Sequence, residues 1–393
     1  MHKIAVVFGT RPEAIKLAPV ILAFRHQPDF RVIVCTTAQQ RHMPDQVLHL
    51  FGIRPDYDLD LMQENQTLAQ FSSRAIDALD EFLRTEDPDM VLAQGDTTTL
   101  LCASLVAFYH RKPVGYIEAG LRTGNLFAPW PEEANRVLAT RLATLHFAPT
   151  PRAAANLAQE GVPQDAVFIT GNTGIDALLL ARDRISGHDR QQAYSLIPAT
   201  VAGGKMVLIT AHRRESFGSA FDSICHAITE LATRRGDVAF LYPAHLNPNV
   251  LGPVERILRP AAARLPNLQI LPPLAYRQFI ALMDHATIIL TDSGGIQEEA
   301  PSLGKPVLVM RESTERPEAI ECGSARLVGT DPSRIVSCTL ELLENDESYQ
   351  AMTGVKNPFG DGHASERIVE RCREYLELHA PLRKTDKLYV SEG

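Results

Sequence analysis

Short apolar segments alternate with longer amphipathic segments along most of this chain. KIAVVFG (3–9), FRVIVCTTA (30–38) and MVLAQ (90–94) predict strands, whereas PEAIKLAPVILAFRHQ (12–27) and TLAQFSSRAIDALDEFLRTE (67–86) have the periodicity of helices. Nearly continuous apolar strands separated by helices are typical of a parallel sheet that is covered on both faces. The first half of the chain therefore predicts a doubly wound α/β fold.

The same pattern begins again in the second half, where KMVLITAHR (205–213) predicts a new first strand. A chain of 393 residues is long enough for two domains. We predict one Rossmann-like domain over residues 1–172 and a second over residues 173–363. The last periodic helix is predicted at 364–379, and the polar segment 380–393 is expected to be loose.

The composition excludes several classes of protein. Hydrophobic residues make up 45% of the chain, which is enough for packed cores. The formal net charge of −8 gives no general attraction to nucleic acid or to an anionic membrane. Six cysteines without a C-x-x-C pair indicate neither a disulfide framework nor a zinc site, and they fit a reducing compartment. Since the sequence contains no signal peptide and no membrane-spanning stretch, we expect a cytoplasmic protein.

Charged residues and glycine follow nearly every predicted strand. The first half has GTRPEAIK, QGDTTT, EAGLRTG and WPEEANR at these places, and the second half has TAHRRES, YPAHLNP, TDSGGIQEE and MRESTERPEA. A structural loop needs glycine and polar residues, but it does not need carboxylates and arginines after nearly every strand. In doubly wound sheets, ligands bind outside the carboxyl ends of the strands. We therefore predict a ligand site in the cleft between the two domains.

Cationic residues at the strand ends predict an anion site. Arg11 and Lys16 lie across the first strand-to-helix turn, and His212 follows the first strand of the second half. Arg316 follows another strand, and SGG (293–295) lies between a strand and a helix, as a backbone phosphate cradle does. Several such places in two matching halves favour a diphosphate ligand over the alternative, a set of solvated surface charges.

Carboxylates at the strand ends of the first half predict proton transfer. Asp96, Glu118 and either Glu132 or Glu133 lie at or after successive strands. Carboxylates that converge opposite a phosphate site suit general acid–base catalysis, although ion pairs with nearby arginines are the structural alternative. The threonines at 97–99 suit the capping of the helix that follows.

Two further features of the sequence bear on cofactors and ligands. Glu298 and Glu299 follow the glycines of SGG, where one of them is placed to reach a ribose or simply to favour a helix N-terminus. The sequence has no G-x-G-x-x-G and no His or Asp cluster with metal-ligand spacing. It therefore predicts neither a bound nicotinamide nor a metal.

These motifs, in this order, resemble those of the non-hydrolysing UDP-N-acetylglucosamine 2-epimerases. The resemblance runs from VFGTRPEAIKLAP through GDTTT, EAGLRT, PWPEEANR, ITGNTGIDAL, TAHRRESFG and LTDSGGIQEEAPSLGKPVL to TERPEA and NPFGDGHASERIV, and so covers nearly the whole chain. It implies a GT-B-like fold in which two Rossmann-like domains have the active site between them. It also implies that the helix at 364–379 packs back on the first domain and that the protein is a homodimer.

The resemblance implies an activity and a set of site residues. Members of the family interconvert UDP-GlcNAc and UDP-ManNAc without an added cofactor, which supplies ManNAc-type sugars for surface polysaccharide. The positions that match the catalytic residues of the family are Asp96, Glu118, Glu132 and His212. The positions that match its nucleotide-sugar contacts are Arg11, Lys16, Arg136, Leu274, Phe279, Ser293, Gly294, Gly295, Glu299 and Arg316.

The chain departs from the family pattern in a region that binds an activating second UDP-GlcNAc in many bacterial members. Within QQRHMPDQ (39–46), Gln40 replaces the usual histidine and His42 replaces Gln or Glu, and further on Asn65 stands where an arginine often stands. Together with Gln39 these residues form an altered allosteric site, and we expect activation by substrate to be lost.

Three alternatives to UDP-GlcNAc epimerisation follow from the same residues. One is an epimerase of a modified UDP-sugar, such as a 2,3-diacetamido uronic acid. Another is a GT-B glycosyltransferase, which would need an acceptor groove but not three inward carboxylates. The last is a nucleotide-sugar sensor without catalysis, which the intact set Asp96, Glu118, Glu132 and His212 disfavours.

Overall fold

The computed structural model describes residues 1–38, 44–201 and 204–389 and divides the chain into two compact units. Unit 1 contains Met1–Ala177 and Phe359–Gly393, and unit 2 contains Leu178–Pro358. Each unit has its own parallel sheet, and each is described separately below.

Unit 1 is built on a seven-stranded parallel sheet. Its strands are β1 (His2–Phe8), β2 (Phe30–Thr36), β3 (Tyr57–Asp58), β4 (Met90–Gln94), β5 (Val114–Ile117), β6 (Leu145–Ala148) and β7 (Val167–Ile169). Their order across the sheet is β3-β2-β1-β4-β5-β6-β7, and Ile4 of β1 lies between Val32 of β2 and Met90 of β4. The direction in which strands are added therefore reverses between β1 and β4, which is where doubly wound sheets bind ligands.

The helices of unit 1 follow the strands in the predicted alternation. They are α1 (Arg11–Arg25), α2 (Pro44–Phe51), α3 (Leu68–Glu86), α4 (Thr98–Tyr109), α5 (Glu132–Leu142) and α6 (Pro151–Gln159), and α7 (Thr173–Arg184) begins in unit 1 and ends in unit 2. Local sequence explains several starts. Thr10 and Glu13 form a capping box at α1, and the Thr97 hydroxyl accepts a hydrogen bond from the Leu100 N–H at 3.3 Å to cap α4.

Unit 2 repeats this architecture with six parallel strands. They are β8 (Met206–Thr210), β9 (Ala239–Pro243), β10 (Leu268–Leu271), β11 (Ile288–Thr291), β12 (Val307–Val309) and β13 (Ala325–Leu327), in the order β10-β9-β8-β11-β12-β13. The helices of the unit are α8 (Gly187–Tyr194), α9 (Ser219–Arg234), α10 (Pro248–Pro253), α11 (Arg259–Ala262), α12 (Tyr276–His285), α13 (Gly294–Glu299), α14 (Pro317–Glu321), α15 (Pro332–Glu344) and α16 (Asp346–Thr353). In this sheet the order reverses between β8 and β11.

Helices and sheet in each unit enclose a hydrophobic core. In unit 1, Phe71 and Phe82 of α3 are buried together with Val7 of β1. In unit 2, Ile228 of α9 is buried together with Leu290 of β11. The strands are apolar along nearly their whole length because both faces of each sheet are covered. The predicted doubly wound α/β fold is confirmed.

The last helix of the chain, α17 (Ala364–Tyr389), belongs to unit 1 and continues past His379, where the sequence pattern places its end. It packs against α1. The Asp176 carboxylate accepts from the Ser365 N–H at 2.7 Å at its start, and Arg373 pairs with Asp29 at 2.8 Å further along. Among the helices that the structure describes, none combines the length and the apolarity needed to cross a bilayer.

Candidate active site

Glu118 follows β5 directly and is the centre of a polar cluster at the carboxyl edge of the first sheet. Its carboxylate accepts hydrogen bonds from the Lys16 ammonium at 2.6 and 2.7 Å. The side-chain amides of Gln94, at the end of β4, and Asn172, before α7, also donate to it, the latter at 3.3 Å. Glu118 is only 7% exposed, so these donors offset the cost of burying its charge.

The backbone of Glu118 has a left-handed conformation, with φ of 66°. This conformation is uncommon for a residue with a Cβ atom and marks a residue that the surrounding structure holds in place, as is frequent at functional sites. Gly120, two residues later, also has a positive φ, of 92°. The EAG segment therefore leaves the sheet in a sharp turn that presents the Glu118 carboxylate to Lys16.

Asp96 and Glu133 share one guanidinium. Arg136 Nη2 donates to Asp96 Oδ2 at 2.6 Å, and Arg136 Nη1 donates to Glu133 Oε2 at 2.9 Å. Burial by itself lowers the pKa of Arg136, but the two carboxylates outweigh it and raise that pKa above its usual value. The Asn135 amide also donates to the Asp96 carbonyl at 2.8 Å. The first turn of α5 thus fixes the position of Asp96.

Glu132 and Glu133 have different surroundings, although the strand-end pattern alone left the choice between them open. Glu133 is 1% exposed, and its Oε1 accepts from the backbone N–H of Thr123 at 2.9 Å and of Gly124 at 3.0 Å. It is therefore an anchor of the loop before α5. By contrast, Oε2 of the half-buried Glu132 has no hydrogen-bond partner among the residues that the structure describes. Of the two acids, Glu132 is the one with a buried oxygen that has no partner within the described residues.

A residue that the sequence analysis did not select, Glu13, organises the turn that carries Arg11. The buried Glu13 carboxylate accepts from Gly9 N at 3.0 Å, from Thr10 N at 2.8 Å and from the Thr97 hydroxyl at 2.6 Å. Burial raises the pKa of this carboxyl, and the hydrogen bonds from Thr97 and Gly9 act against that rise. Glu13 thus ties the end of β1 to the end of β4, beside Asp96. The capping-box pattern was the available signal for it.

His212 lies at the corresponding edge of the second sheet, after β8. Its backbone N–H and that of Arg213 donate to Asp292 Oδ2 at 2.7 and 2.8 Å. Its ring stacks on His245, with ring centroids 5.3 Å apart and an interplanar angle of 15°. Burial lowers the pKa of His212, although Asp292 acts in the opposite direction. A neutral ring with a buried acid beside it suits proton exchange or contact with an anion.

The SGG segment opens α13 next to two guanidinium groups. A Cβ atom at Gly294 would lie 2.9 Å from Glu315 Oε1, 3.6 Å from Arg213 Nη2 and 3.8 Å from Arg316 Cζ. A side chain at 294 would displace the end of the Glu315 side chain, whereas glycine leaves the backbone close to the charged groups. Ser293 is half-buried, Gly294 is buried and Gly295 is exposed at the same helix start. Backbone N–H groups at a helix start, together with arginines, suit a phosphate.

Arg316 is held by acids from neighbouring segments. Its Nε donates to Glu298, which is buried, and its Nη1 lies 3.9 Å from Glu315 Oε1. Burial would raise the pKa of Glu315, but Arg316 and Arg311 outweigh that and lower it. Of the two acids after the glycines, Glu298 is thus the partner of Arg316, and Glu299 lies half-buried one residue further on.

Two further residues of unit 2 that the sequence predicts as nucleotide-sugar contacts lie in other segments of the chain than SGG and Arg316. Leu274 follows β10 and Phe279 lies on α12, and both side chains are half-buried. Of the predicted allosteric residues, Gln39, Gln40 and His42 lie outside the residues that the structure describes. Asn65 is exposed before α3, with a positive φ of 56°.

Comparisons with known proteins identify relatives of this chain. The family model described as "UDP-N-acetylglucosamine 2-epimerase" matches residues 22–373. A UDP-N-acetylglucosamine 2-epimerase of Escherichia coli (strain K12) is 54% identical over 94% of this chain and 98% of its own length. A protein of the same name from Salmonella typhimurium is 52% identical over 95% of this chain and 99% of its own length.

Solved structures show the same likeness. The crystal structure of UDP-GlcNAc 2-epimerase from Neisseria meningitidis bound to UDP-GlcNAc is 47% identical, with a TM-score of 0.85 over 95% of this chain and 100% of that one. The Methanocaldococcus jannaschii enzyme in complex with UDP-GlcNAc and UDP is 31% identical, with a TM-score of 0.77 over 95% of this chain and 99% of that one. The resemblance seen in the sequence is confirmed: the chain belongs to the UDP-N-acetylglucosamine 2-epimerase family, whose fold is GT-B-like.

Proposed function

We propose that this chain is an isomerase that converts UDP-GlcNAc reversibly into UDP-ManNAc by inverting C2, without an added cofactor. The observation that carries the proposal is the set of carboxylates at the carboxyl edge of the first sheet. Asp96 and Glu118 are held by cations, and Glu132 has a buried oxygen without a partner among the described residues. Relatives that are 52% and 54% identical over nearly their full length have this activity in their names. Incubation with UDP-GlcNAc alone, followed by proton NMR, tests the proposal, because a glycosyltransferase without acceptor would form no new nucleotide sugar.

The chemistry of the substrate explains why such a cluster is needed. The hydrogen on C2 is not acidic, because C2 carries an amide nitrogen and has no carbonyl beside it. We propose an elimination in which UDP leaves C1 with its bonding electron pair, a base takes the C2 proton, and a glycal forms. UDP then adds back to C1 while a proton arrives on the opposite face of C2. Inversion therefore needs proton-transfer groups on both faces.

The roles of the residues follow from their partners. Arg316 and the backbone N–H groups of SGG are proposed to stabilise the charge that develops on the departing diphosphate, which is often the largest catalytic contribution. Glu132 is proposed as one proton-transfer group, because one of its oxygens is buried and unpaired within the described residues. Glu118, the remaining buried carboxylate of the set, is proposed to stabilise positive charge at C1. The family resemblance further supports a cytoplasmic homodimer that supplies ManNAc-type sugars for polysaccharide.

Replacing Arg316 by alanine is expected to weaken UDP binding at least tenfold, since a hydrogen bond to a charged group contributes about 1.5–3 kcal/mol. Calorimetric titration with UDP measures the loss. Arg326→Ala is the matched control, because Arg326 pairs with Glu341 on the surface of the same unit. Circular dichroism must show that the variant is folded, since the substitution also removes the partner of Glu298. Unchanged UDP affinity in folded Arg316→Ala would refute the assignment.

We propose that UDP-GlcNAc does not activate this enzyme. Gln40 and Asn65 stand where relatives have a histidine and an arginine that would hold an activator's phosphates, and His42 replaces Gln or Glu. The expected result is hyperbolic kinetics with UDP-GlcNAc, and a reverse reaction from purified UDP-ManNAc that starts without a lag. The assay compares purified UDP-ManNAc with and without a trace of UDP-GlcNAc. An enzyme that is nearly silent until the trace is added would show that the second site still works.

A further inference from the structure

Asp292 is a buried carboxylate that directly follows β11 and lies beside His212. Its side chain is 0% exposed. One oxygen, Oδ2, accepts hydrogen bonds from the backbone N–H groups of His212 at 2.7 Å and Arg213 at 2.8 Å. These two bonds hold the segment after β8 against the end of β11. They use half of the hydrogen bonds that a carboxylate can accept.

The other oxygen of the Asp292 carboxylate, Oδ1, is not engaged in this way. It is buried and has no hydrogen-bond partner within the residues that the structure describes, a state that is costly for a charged acceptor. The Nδ1 atom of His212 lies 3.7 Å away, slightly beyond hydrogen-bond range, so a small rotation of the ring brings the two atoms together. The other titratable or charged groups that act on the His212 ring are His245, Arg213 and Glu215.

We propose that Asp292 is a positioning residue for His212, which accepts the Nδ1–H of the imidazole and thereby directs Nε2 towards an anionic leaving group. The inference rests on the proposed function, because the leaving group in that reaction is a diphosphate. Asp292 itself does not touch the substrate in this account. It acts only through the ring of His212.

The carboxylate decides which nitrogen of the neutral ring carries the proton. A neutral imidazole has one N–H donor and one acceptor nitrogen. A carboxylate beside Nδ1 selects the Nδ1–H form and leaves Nε2 as the acceptor. When a diphosphate approaches Nε2, the ring takes up one proton from solvent at that atom, and the resulting cation donates to Asp292 on one side and to a phosphate oxygen on the other.

In the protein without UDP, the surroundings of His212 favour the neutral ring that can take up this proton. Burial lowers the pKa of His212, and His245 and Arg213 lower it further, against the opposing effects of Asp292 and Glu215. The neutral ring is therefore favoured before the ligand arrives. A second anion at Nε2 reverses the balance, because opposite charge favours the protonated form. Binding of UDP should consequently be accompanied by proton uptake at His212.

The test compares the wild-type protein with Asp292→Asn in the full-length chain. The asparagine carbonyl keeps both backbone hydrogen bonds from residues 212 and 213, while its NH₂ group replaces Oδ1 opposite His212 Nδ1. The first readout is the tautomer of His212 in ligand-free protein, from side-chain ¹⁵N shifts assigned with His212→Gln. The second is the number of protons taken up per UDP bound, from calorimetry in buffers of different ionisation enthalpy. Protonation of UDP itself is common to all three proteins and cancels in the comparison.

The proposal predicts the Nδ1–H form in wild type, the Nε2–H form in Asp292→Asn, and proton uptake in Asp292→Asn that falls to that of His212→Gln. An Nε2–H form in the wild type would overturn it, and this readout remains decisive even if the variant fails to fold. Equal proton uptake by wild type and Asp292→Asn would also overturn it. The tautomer does not depend on turnover, so a protein with the predicted tautomers that epimerises nothing would contradict the proposed function alone.

Discussion

Replacement of Glu132 by glutamine is expected to lower kcat for epimerisation by about 10²–10⁴-fold, which is the usual contribution of a positioned acid or base. The substitution keeps the size of the side chain but removes its ability to exchange a proton. UDP affinity should be nearly unchanged, because the proposed diphosphate contacts come from other residues. Initial rates with UDP-GlcNAc and calorimetry with UDP measure the two quantities separately.

Two control variants make this experiment specific to Glu132. Asp165→Asn removes an exposed carboxylate of the same unit and should leave kcat unchanged. Glu133→Gln should act mainly on stability, because Glu133 is buried and bonded to Arg136 and to the Gly124 backbone. A folded Glu132→Gln variant with nearly wild-type kcat would show that Glu132 is not a proton-transfer group.

Replacement of Gly120 by alanine is expected to lower the free energy of unfolding by about 2–5 kcal/mol, or to prevent folding of unit 1. The new Cβ atom would lie 2.2 Å from the carbonyl oxygen of Ala153 and 3.0 Å from Leu157 Cγ. That oxygen belongs to the backbone of α6 and cannot turn aside, so the clash must shift the helix. A φ of 92° at this position adds the cost of a left-handed conformation with a side chain, about 1–2 kcal/mol.

Gly161→Ala separates the two contributions. Gly161 also has a positive φ, of 79°, but no atom lies within 4 Å of the position of its Cβ. This control should therefore lose only about 1–2 kcal/mol. Denaturant unfolding of both variants measures the difference. Equal losses would show that contact with Ala153 does not matter and that conformational strain alone limits position 120.

The sequence predicted the strands and helices of the doubly wound fold, and it also marked the segments of the candidate site, because both depend on local patterns. Apolar strands followed by amphipathic helices define a doubly wound sheet whatever the details of packing. Glycines and charges after the strands predict a ligand at this edge, and the structure pairs Asp96 with Arg136 and Glu118 with Lys16 there. The family resemblance added the roles of these residues, which no local pattern contains.

The hydrogen bonds within the candidate site could not be predicted from the sequence. Gln94 and Asn172 both bond to Glu118, yet they lie 24 and 54 residues away from it in the chain. Such contacts depend on how strands and helices are placed in space. The strand-end pattern could not distinguish Glu132 from Glu133 for the same reason. Adjacent acids at a helix start have the same local signal and differ only in the residues that surround them in space.

The central claim, epimerisation at C2 through loss and return of UDP, is tested most directly by the reaction of UDP-GlcNAc in D₂O. Since the C2 proton is removed in one step and returned from a solvent-exchanged group in the other, the UDP-ManNAc that forms should carry deuterium at C2. Proton NMR detects this as loss of the C2 proton signal of the product, and isotope-edited mass spectrometry confirms one deuterium for each molecule. UDP-ManNAc that retains the original hydrogen at C2 would contradict the elimination route, and a failure to form any new nucleotide sugar would contradict the proposed function.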